Sequence, residues 1–202
     1  MLFTATVKPE LLELLNAVMN ESTFDSFVLV GGTSLALQYG HRDSIDLDFF
    51  GNQPIDEDLF LSKLSLFGCV QLIKKSDNVL ICSVNDIKVD LVSYQYKWIG
   101  PVIHVNKVRL ASDRDIAAMK LNAIAGRGSK KDFIDLYFIL QRFSLNEVIS
   151  FYNEKYHDGS LFMVLKSLSY FEDADLELSP KMYIDVQWDE IKAFISEQLK
   201  HI

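Results

Sequence analysis

One run of sequence, residues 27 to 51, limits the fold more than any other: FVLVGGTSLALQYGHRDSIDLDFFG. Its apolar start predicts a buried strand, and Gly31 and Gly32 predict a sharp turn into a short helix that Gly40 ends. Apolar residues and aspartates then alternate over residues 45 to 49, which predicts a second strand. A strand, a glycine turn, a helix and a strand in close succession favour a sheet with helices packed against it.

Asp46 and Asp48 are the unusual members of the second strand. Side chains alternate between the two faces of a strand, so we expect Ile45, Leu47 and Phe49 to face the core and both aspartates to face away. At an effective dielectric constant of 20, two carboxylates about 7 Å apart repel each other by about 2 to 3 kcal/mol. A divalent cation offsets that repulsion, and Mg²⁺ binds carboxylate oxygens together with substrate phosphates.

A third carboxylate is predicted beside this pair. In the run IKVDLVSY, residues 87 to 94, the same alternation puts Asp90 on the face opposite to its apolar neighbours. If this strand lies next to the first pair, three carboxylates can hold two ions about 3.5 to 4 Å apart, a pattern typical of phosphoryl and nucleotidyl transfer. The residue pattern therefore predicts Asp46, Asp48 and Asp90 as metal ligands.

The glycine turn suits a phosphate group. Gly31 and Gly32 allow the backbone to approach a ligand closely, and a helix beginning at Thr33 or Ser34 presents free N–H groups, to which Ser34 adds a hydroxyl. Each feature also has a plainer interpretation, because Gly-Gly is often a simple turn and Asp-x-Asp an exposed strand edge. The inference depends on the order in which all of these features occur together.

The pattern changes near residue 111, from alternating helices and strands to helices alone. Strands are predicted at residues 26–30, 44–50, 69–75, 78–84 and 87–94, and helices at 9–18, 31–40, 56–66, 145–168 and 188–200. Ser112 and Ser129 each precede an aspartate three positions later, which predicts two further helix starts. The predicted fold class is α+β: a mixed β-sheet with flanking helices in residues 1–111, followed by a C-terminal helical lobe in residues 112–202.

Composition and charge narrow the class of protein. No apolar run reaches 18 residues and the first residues do not resemble a signal peptide, so we expect a cytoplasmic protein with no membrane partner. Cys69 and Cys82 are predicted to be free thiols. The net charge of −8 argues against a surface that coats nucleic acid, although residues 120–131 form a small basic patch.

The runs GGTSLALQYGHRDSIDLDFF and DIAAMKLNAIAGRGSKKDFIDLYFIL together resemble the AbiEii/AbiGii toxin family. These are nucleotidyltransferase-like toxins of abortive-infection and toxin-antitoxin systems, within the superfamily related to DNA polymerase beta. The resemblance covers roughly residues 25 to 142. It implies a nucleotidyltransferase-like fold, an NTP substrate, Mg²⁺ as cofactor in two ions, tRNA or another RNA as acceptor, and a cognate antitoxin as partner.

The resemblance also implies roles for individual residues. Asp46, Asp48 and Asp90 match the metal positions, and Lys120 matches a lysine that acts with them in catalysis. The nucleotide-binding residues that it implies are Gly31, Gly32, Thr33, Ser34, Arg42, Lys120, Arg127, Lys131 and Asp135.

Several of these positions allow a structural role instead. Lys120 and Arg127 lie two helical turns apart and face one way, toward a triphosphate or toward ordinary partners such as Asp113, Asp115 or Asp132. Asp132 is equally explained as a helix cap. Arg42 is equally explained as a partner of Asp43, which we assign to the loop and exclude from the metal site.

The sequence is compatible with three functions. The first is an Mg²⁺-dependent nucleotidyltransferase that modifies RNA as the toxin of a toxin-antitoxin pair. The second keeps the chemistry but transfers the nucleotide to a small molecule such as an aminoglycoside. The third is a nucleotide-binding protein that acts on a partner protein without catalysis.

Overall fold

A seven-stranded mixed sheet forms the N-terminal half of the computed structural model, which describes residues 1–202. The strands are β1 Phe27–Leu29, β2 Leu47–Gly51, β3 Val70–Ser76, β4 Val79–Val84, β5 Ile87–Ser93, β6 Ile103–Val105 and β7 Val108–Leu110. The helices are α1 Pro9–Asn20, α2 Gly31–Tyr39, α3 Glu57–Leu64, α4 Asp113–Gly126, α5 Lys130–Ile139, α6 Leu145–Lys155, α7 Leu161–Leu168, α8 Glu172–Asp175 and α9 Trp188–Leu199. The predicted α+β class is confirmed.

The strand order is β3-β4-β5-β2-β1-β7-β6. β2 runs antiparallel to β1 and parallel to β5, and the β2–β5 register sets Asp48 directly opposite Asp90. The sequence pattern did not predict the hairpin of β6 and β7, two strands of three residues each, which extends the sheet beyond β1.

The second strand of the opening run begins later than predicted. β2 starts at Leu47, and Leu47 and Phe49 are fully buried as expected. Ile45 was predicted to face the core, but it is 61% exposed because it lies in the loop before the strand. Asp46 therefore also belongs to that loop, and of the two aspartates only Asp48 has its position set by sheet pairing.

The buried hydrophobic residues form two cores, one before residue 111 and one mainly after it. One core uses buried residues from Val7 to Leu110, on α1, α3 and one face of the sheet. The other consists mainly of residues from the C-terminal helices and includes Val28, Val30 and Leu35 from the opening run. The proposed division into two domains at residue 111 stays a prediction, because the second core draws on both sides of it.

The helical half differs in detail from its prediction. The Ser112 hydroxyl accepts the Asp115 N–H at 3.1 Å and caps α4 as expected. The Ser129 hydroxyl instead donates to the Asp132 carboxylate at 2.8 Å and caps no backbone group. The helix predicted over residues 145–168 is broken into α6 and α7 by a loop that contains Gly159.

The state of the cysteines and the hydrophobicity of the helices complete the description of the fold. Both cysteines are free, with Cys82 buried and Cys69 exposed. None of the helices combines the length and the hydrophobicity needed to cross a lipid bilayer.

Candidate active site

A polar cavity of about 310 Å³ lies where α2, β2, β5 and α4 meet. Its wall contains one hydrophobic residue, Ile45, among charged and small side chains. The lining residues are Gly31, Gly32, Arg42, Asp43, Ser44, Ile45, Asp46, Asp48, Lys88, Asp90, Lys120, Arg127, Lys131 and Pro180. The cavity therefore brings together all three predicted metal ligands and most of the predicted nucleotide-binding residues.

Gly31 fits the start of α2 tightly against Asp48. Its φ of +68° lies in the left-handed region that favours glycine, and a Cβ added there would come within 2.5 Å of the Asp48 Oδ2 atom. Gly32 is similarly close to the guanidinium of Arg42. No side chain caps this helix start, and Gly31 and Gly32 line the cavity, so the positive dipole end of α2 lies at the cavity wall.

The three carboxylates share this cavity but do not form one cluster. Burial and the neighbouring Asp90 carboxylate raise the pKa of Asp48 above its ordinary value. Asp90 is bound to Lys88, a residue outside the predicted site, whose Nζ lies 2.5 Å from both of its carboxylate oxygens. Alternation along β5 puts positions 88 and 90 on one face, so the pattern KVD contained the signal.

The predicted three-carboxylate metal cluster is therefore corrected. The structure contains no group of three or more His, Cys, Asp or Glu side chains arranged to hold a metal ion. Asp46 and Asp48 still offer carboxylate oxygens to the same cavity, and Asp90 lies in register with Asp48 on the neighbouring strand. This donor set fits one Mg²⁺ ion bound together with substrate phosphates.

Behind the cavity wall, Asp135 is fully buried and binds three side chains. It accepts from Arg42 Nε at 2.7 Å and Nη2 at 2.8 Å, lies 2.6 Å from Lys120 Nζ, and contacts His41 Nε2 at 2.8 Å. Burial alone would raise the pKa of Asp135, but Arg42 and Lys120 hold it well below its ordinary value. Burial lowers the pKa of His41, which favours the neutral imidazole.

Asp132 links the same lysine to a more exposed arginine. It lies 2.8 Å from Lys120 Nζ and accepts from Arg127 Nε at 2.8 Å. Although burial favours the protonated carboxyl, these two cations lower the pKa of Asp132. The alternative role of Asp132 as a helix cap is wrong, and its pairing with Lys120 and Arg127 is observed. Lys120 still lines the cavity, and Arg127 is 61% exposed there.

Three predicted nucleotide-binding side chains lie outside the cavity wall and are buried. The Thr33 hydroxyl donates to the backbone carbonyl of Asp46. The Ser34 hydroxyl accepts from the Gln38 amide at 3.1 Å. Asp135 has no exposed surface. Direct nucleotide contact by the Ser34 hydroxyl and the Asp135 carboxylate is therefore corrected, because both groups bind other protein groups. Contact through the N–H group of Thr33 at the helix start stays a prediction.

The C-terminal segment also reaches the site, although no sequence motif indicated this. The Asp43 carboxylate accepts the Lys181 N–H at 3.0 Å, and Pro180 lines the cavity. Arg42 donates to the backbone carbonyl of Asp43 at 2.7 Å, so the two residues are joined through the backbone and not through an ion pair. Asp43 belongs to the loop, as predicted.

An apolar cavity of about 250 Å³ adjoins the polar one. The two cavities share Gly31, Asp48, Lys120 and Arg127. The apolar wall includes Phe50, Tyr94, Tyr96, Met119, Ala123 and Tyr156. A ligand with an anionic part and a ring could therefore occupy both cavities at once.

Comparison with known proteins places this arrangement in a family. The sequence profile described as "Nucleotidyl transferase AbiEii toxin, Type IV TA system" matches residues 13–72. The uncharacterised protein aq_aa25 of Aquifex aeolicus is 35% identical over 202 residues, which cover 96% of this chain and 96% of that protein.

Solved structures share the fold at low sequence identity. A Helicobacter pylori protein provisionally described as a nucleotidyltransferase has a TM-score of 0.63 at 17% identity, covering 95% of this chain and 91% of that one. JHP933 from Helicobacter pylori has a TM-score of 0.61 at 19% identity, covering 96% and 92%. The antibiotic-resistance factor ANT(2'')-Ia has a TM-score of 0.54 at 14% identity, covering 70% and 87%. The chain has a nucleotidyltransferase fold.

Proposed function

Because this chain belongs to the AbiEii family of nucleotidyl transferase toxins, we propose that it transfers a nucleoside monophosphate from an NTP to RNA in an Mg²⁺-dependent reaction. tRNA is the acceptor that we expect, and a cognate antitoxin is the partner. The observation that carries the proposal is the contact between the Gly31 turn and Asp48, with Asp90 in register on the next strand. That arrangement sets a phosphate-binding helix start against two carboxylates.

The charges around the cavity support a triphosphate as the ligand. Arg42, Lys88, Lys120, Arg127 and Lys131 line it, and Lys131 and Arg127 are exposed at its rim. The α2 N–H groups at Gly31 and Gly32 add uncharged donors that suit phosphate oxygens. We assign the triphosphate to this polar cavity and the sugar and base to the adjoining apolar cavity.

Each residue has a defined part in the transfer. The acceptor hydroxyl oxygen attacks the α-phosphorus, the bond from that phosphorus to the β-phosphate oxygen breaks, and pyrophosphate leaves. Asp90 takes the hydroxyl proton, Lys120 and Arg127 bind the phosphates, and Asp46 and Asp48 would hold the metal ion. The bound Mg²⁺ supplies positive charge to the phosphate oxygens during this substitution.

The test is a transfer assay with purified components. The protein is incubated with each α-³²P-labelled NTP, Mg²⁺ and total tRNA, and the RNA is separated on a denaturing gel. We expect labelled RNA with the wild-type protein and at least a hundredfold less with Asp48→Asn, because the substitution removes a charge that the metal needs. Asp43→Asn is the matched control, since Asp43 lines the same cavity and its amide still accepts the Lys181 N–H.

Other acceptors are tested in parallel reactions of the same assay. ANT(2'')-Ia is an antibiotic-resistance factor and one of its structures contains adenylyl-2''-tobramycin, so one arm replaces tRNA with tobramycin. Label on tobramycin alone would replace RNA as the acceptor. Failure to label RNA, tobramycin or any protein of a cell extract would refute the proposed activity.

A further inference from the structure

Lys88 forms a close ion pair with Asp90. Its Nζ lies 2.5 Å from each carboxylate oxygen, so one ammonium group binds both oxygens of the third predicted metal ligand. Asp90 is 17% exposed and faces Asp48 across the β2–β5 pairing. Asp90 is also the single ion-pair partner that Lys88 has in the structure.

The backbone geometry allows this contact. Residues 88 and 90 lie on the same face of β5, their side chains emerge next to each other, and both line the cavity. A divalent ion on the same carboxylate oxygens would lie within a few ångströms of the ammonium group. Two cations this close repel each other strongly, so the ammonium and a second ion compete for Asp90.

The other cations of the cavity are arranged differently. Lys120 lines the cavity too, but its ion pairs are with Asp132 and Asp135 and not with any of the three predicted metal ligands. Lys131 lines the cavity with no carboxylate partner among the ion pairs of the structure. Lys88 is therefore the cation that neutralises a predicted metal ligand directly.

We propose that this site holds one divalent ion, on Asp46 and Asp48, and that Lys88 supplies at Asp90 the positive charge that a second ion would otherwise supply. This inference rests on the metal dependence in the proposed function and replaces the expectation of two ions. In this arrangement Lys88 is a positioning residue, which acts through Asp90.

The number of ions bound per protein tests the proposal without measuring activity. Native mass spectrometry of the protein with Mn²⁺ and a non-hydrolysable NTP analogue counts the ions in the ternary complex. We expect one ion in the wild-type complex and two in Lys88→Met. Lys88→Arg retains the charge and should hold one ion, and Lys131→Met should also hold one, because it removes a cation of the same cavity that pairs with no metal ligand.

A second measurement uses the protein without nucleotide. Mn²⁺ titration followed by electron paramagnetic resonance should show at least tenfold tighter binding to Lys88→Met than to the wild type, and less than a threefold change for Lys131→Met. Circular dichroism and thermal unfolding check that each variant is folded. Lys88 is 41% exposed, and Lys88→Arg shows whether charge or packing matters at this position.

The outcomes separate this inference from the proposed function. Two ions in the wild-type complex would overturn the inference and leave metal-dependent transfer intact. No ion in the complex would refute the metal dependence and the inference together. A Lys88→Met complex with one ion and unchanged Mn²⁺ affinity would show that Lys88 does not replace an ion.

Discussion

At the scale of single residues, Asp135 joins parts of the chain that are far apart in sequence. His41 and Arg42 come from the loop before β2, whereas Lys120 comes from α4, and all three contact this one carboxylate. Arg42 and Lys120 also line the cavity, so Asp135 sets the position of two cations that we assign to phosphate binding.

The first prediction is that Asp135→Asn costs about 3 to 5 kcal/mol in the free energy of unfolding, because it leaves the buried cations Arg42 and Lys120 without their shared partner. Urea unfolding followed by circular dichroism measures this cost. Asp173→Asn, an exposed carboxylate of the same lobe, should change stability by less than about 0.5 kcal/mol. Similar values for the two variants would contradict the role given to Asp135.

The pH dependence of the same measurement follows from the lowered pKa of Asp135. A carboxyl whose pKa is lower in the folded state stabilises the protein above its unfolded value of 3.8. That contribution is lost as the pH falls through the folded value. The difference in the free energy of unfolding between the wild type and Asp135→Asn should therefore decrease at pH values below about 4. A difference that stays constant from pH 7 to pH 2 would argue against a lowered pKa of Asp135.

The second prediction concerns the close approach of Gly31 to Asp48. Gly31→Ala puts a methyl group 2.5 Å from a carboxylate oxygen and strains a left-handed backbone by about 1 to 2 kcal/mol. We expect at least a tenfold loss of transfer activity, measured in the tRNA assay. Gly126→Ala is the matched control, since a Cβ there meets nothing within 4 Å, and it should retain full activity.

Single residues were predictable where alternation or a motif constrained them. Alternation predicted the strand faces of Asp48 and Asp90, the pairing of β2 with β5 brings them together, and Leu47 and Phe49 were correctly placed in the core. The burial of Asp135 did not follow, because two of its three partners, His41 and Arg42, lie more than 90 positions away and long-range charge pairing leaves no local pattern.

At the scale of elements, the connection from β5 to β6 is held by a buried ion pair. The Asp115 carboxylate on α4 accepts the N–H groups of Ile99 and Gly100 at 3.0 and 2.9 Å. It also pairs with Lys155 of α6 at 2.7 Å, and neither charged side chain is exposed. This connection carries Tyr94 and Tyr96, so the pair fixes one wall of the apolar cavity.

The third prediction is that Lys155→Met destabilises the protein by about 3 kcal/mol, because Asp115 is left as an unpaired buried charge. Amide hydrogen exchange should become faster at Ile99 and Gly100, since their hydrogen bonds to Asp115 weaken. Lys166→Met on the exposed face of α7 should leave that exchange unchanged. Unaltered protection in Lys155→Met would mean that backbone packing alone holds the connection.

Helices and strands with a clear hydrophobic period were predicted from the sequence, whereas the shortest strands were not. The strands from residue 70 to 93 and helices α1, α2, α3 and α9 lie close to their predicted ranges. β6 and β7 have three residues each, too few for a period of two to stand out, and their pairing with β1 depends on the fold. The break between α6 and α7 occurs at a glycine that crowds against Tyr152, a contact that sequence alone does not show.

At the scale of the whole molecule, the charge is negative although the polar cavity is rich in cations. The net charge is −8, whereas five lysines and arginines line the cavity. Arg42, Lys88 and Lys120 are already paired with carboxylates. Arg127 is paired with Asp132 but its side chain is 61% exposed, so Arg127 and the unpaired Lys131 are the main groups at the rim for RNA phosphates.

The fourth prediction follows from that small number of contacts. Binding of tRNA should weaken with salt by a slope of about −2 in a plot of log K against log salt, because about two phosphates are neutralised. Fluorescence anisotropy between 50 and 200 mM salt measures the slope. A slope steeper than about −5 would require a wider basic surface than the one around residues 120–131.

The contact of Pro180 and Lys181 with the cavity loop has a consequence for the order in which the pocket is completed during synthesis. A ribosome makes the glycine turn and the aspartates first, but the last wall of the cavity only after residue 180 has been added. A nascent chain that stops earlier would have the carboxylates in an open groove. The complete pocket therefore forms only after Pro180 has been synthesised, so a nascent chain carries the cavity carboxylates well before it has the wall that closes over them.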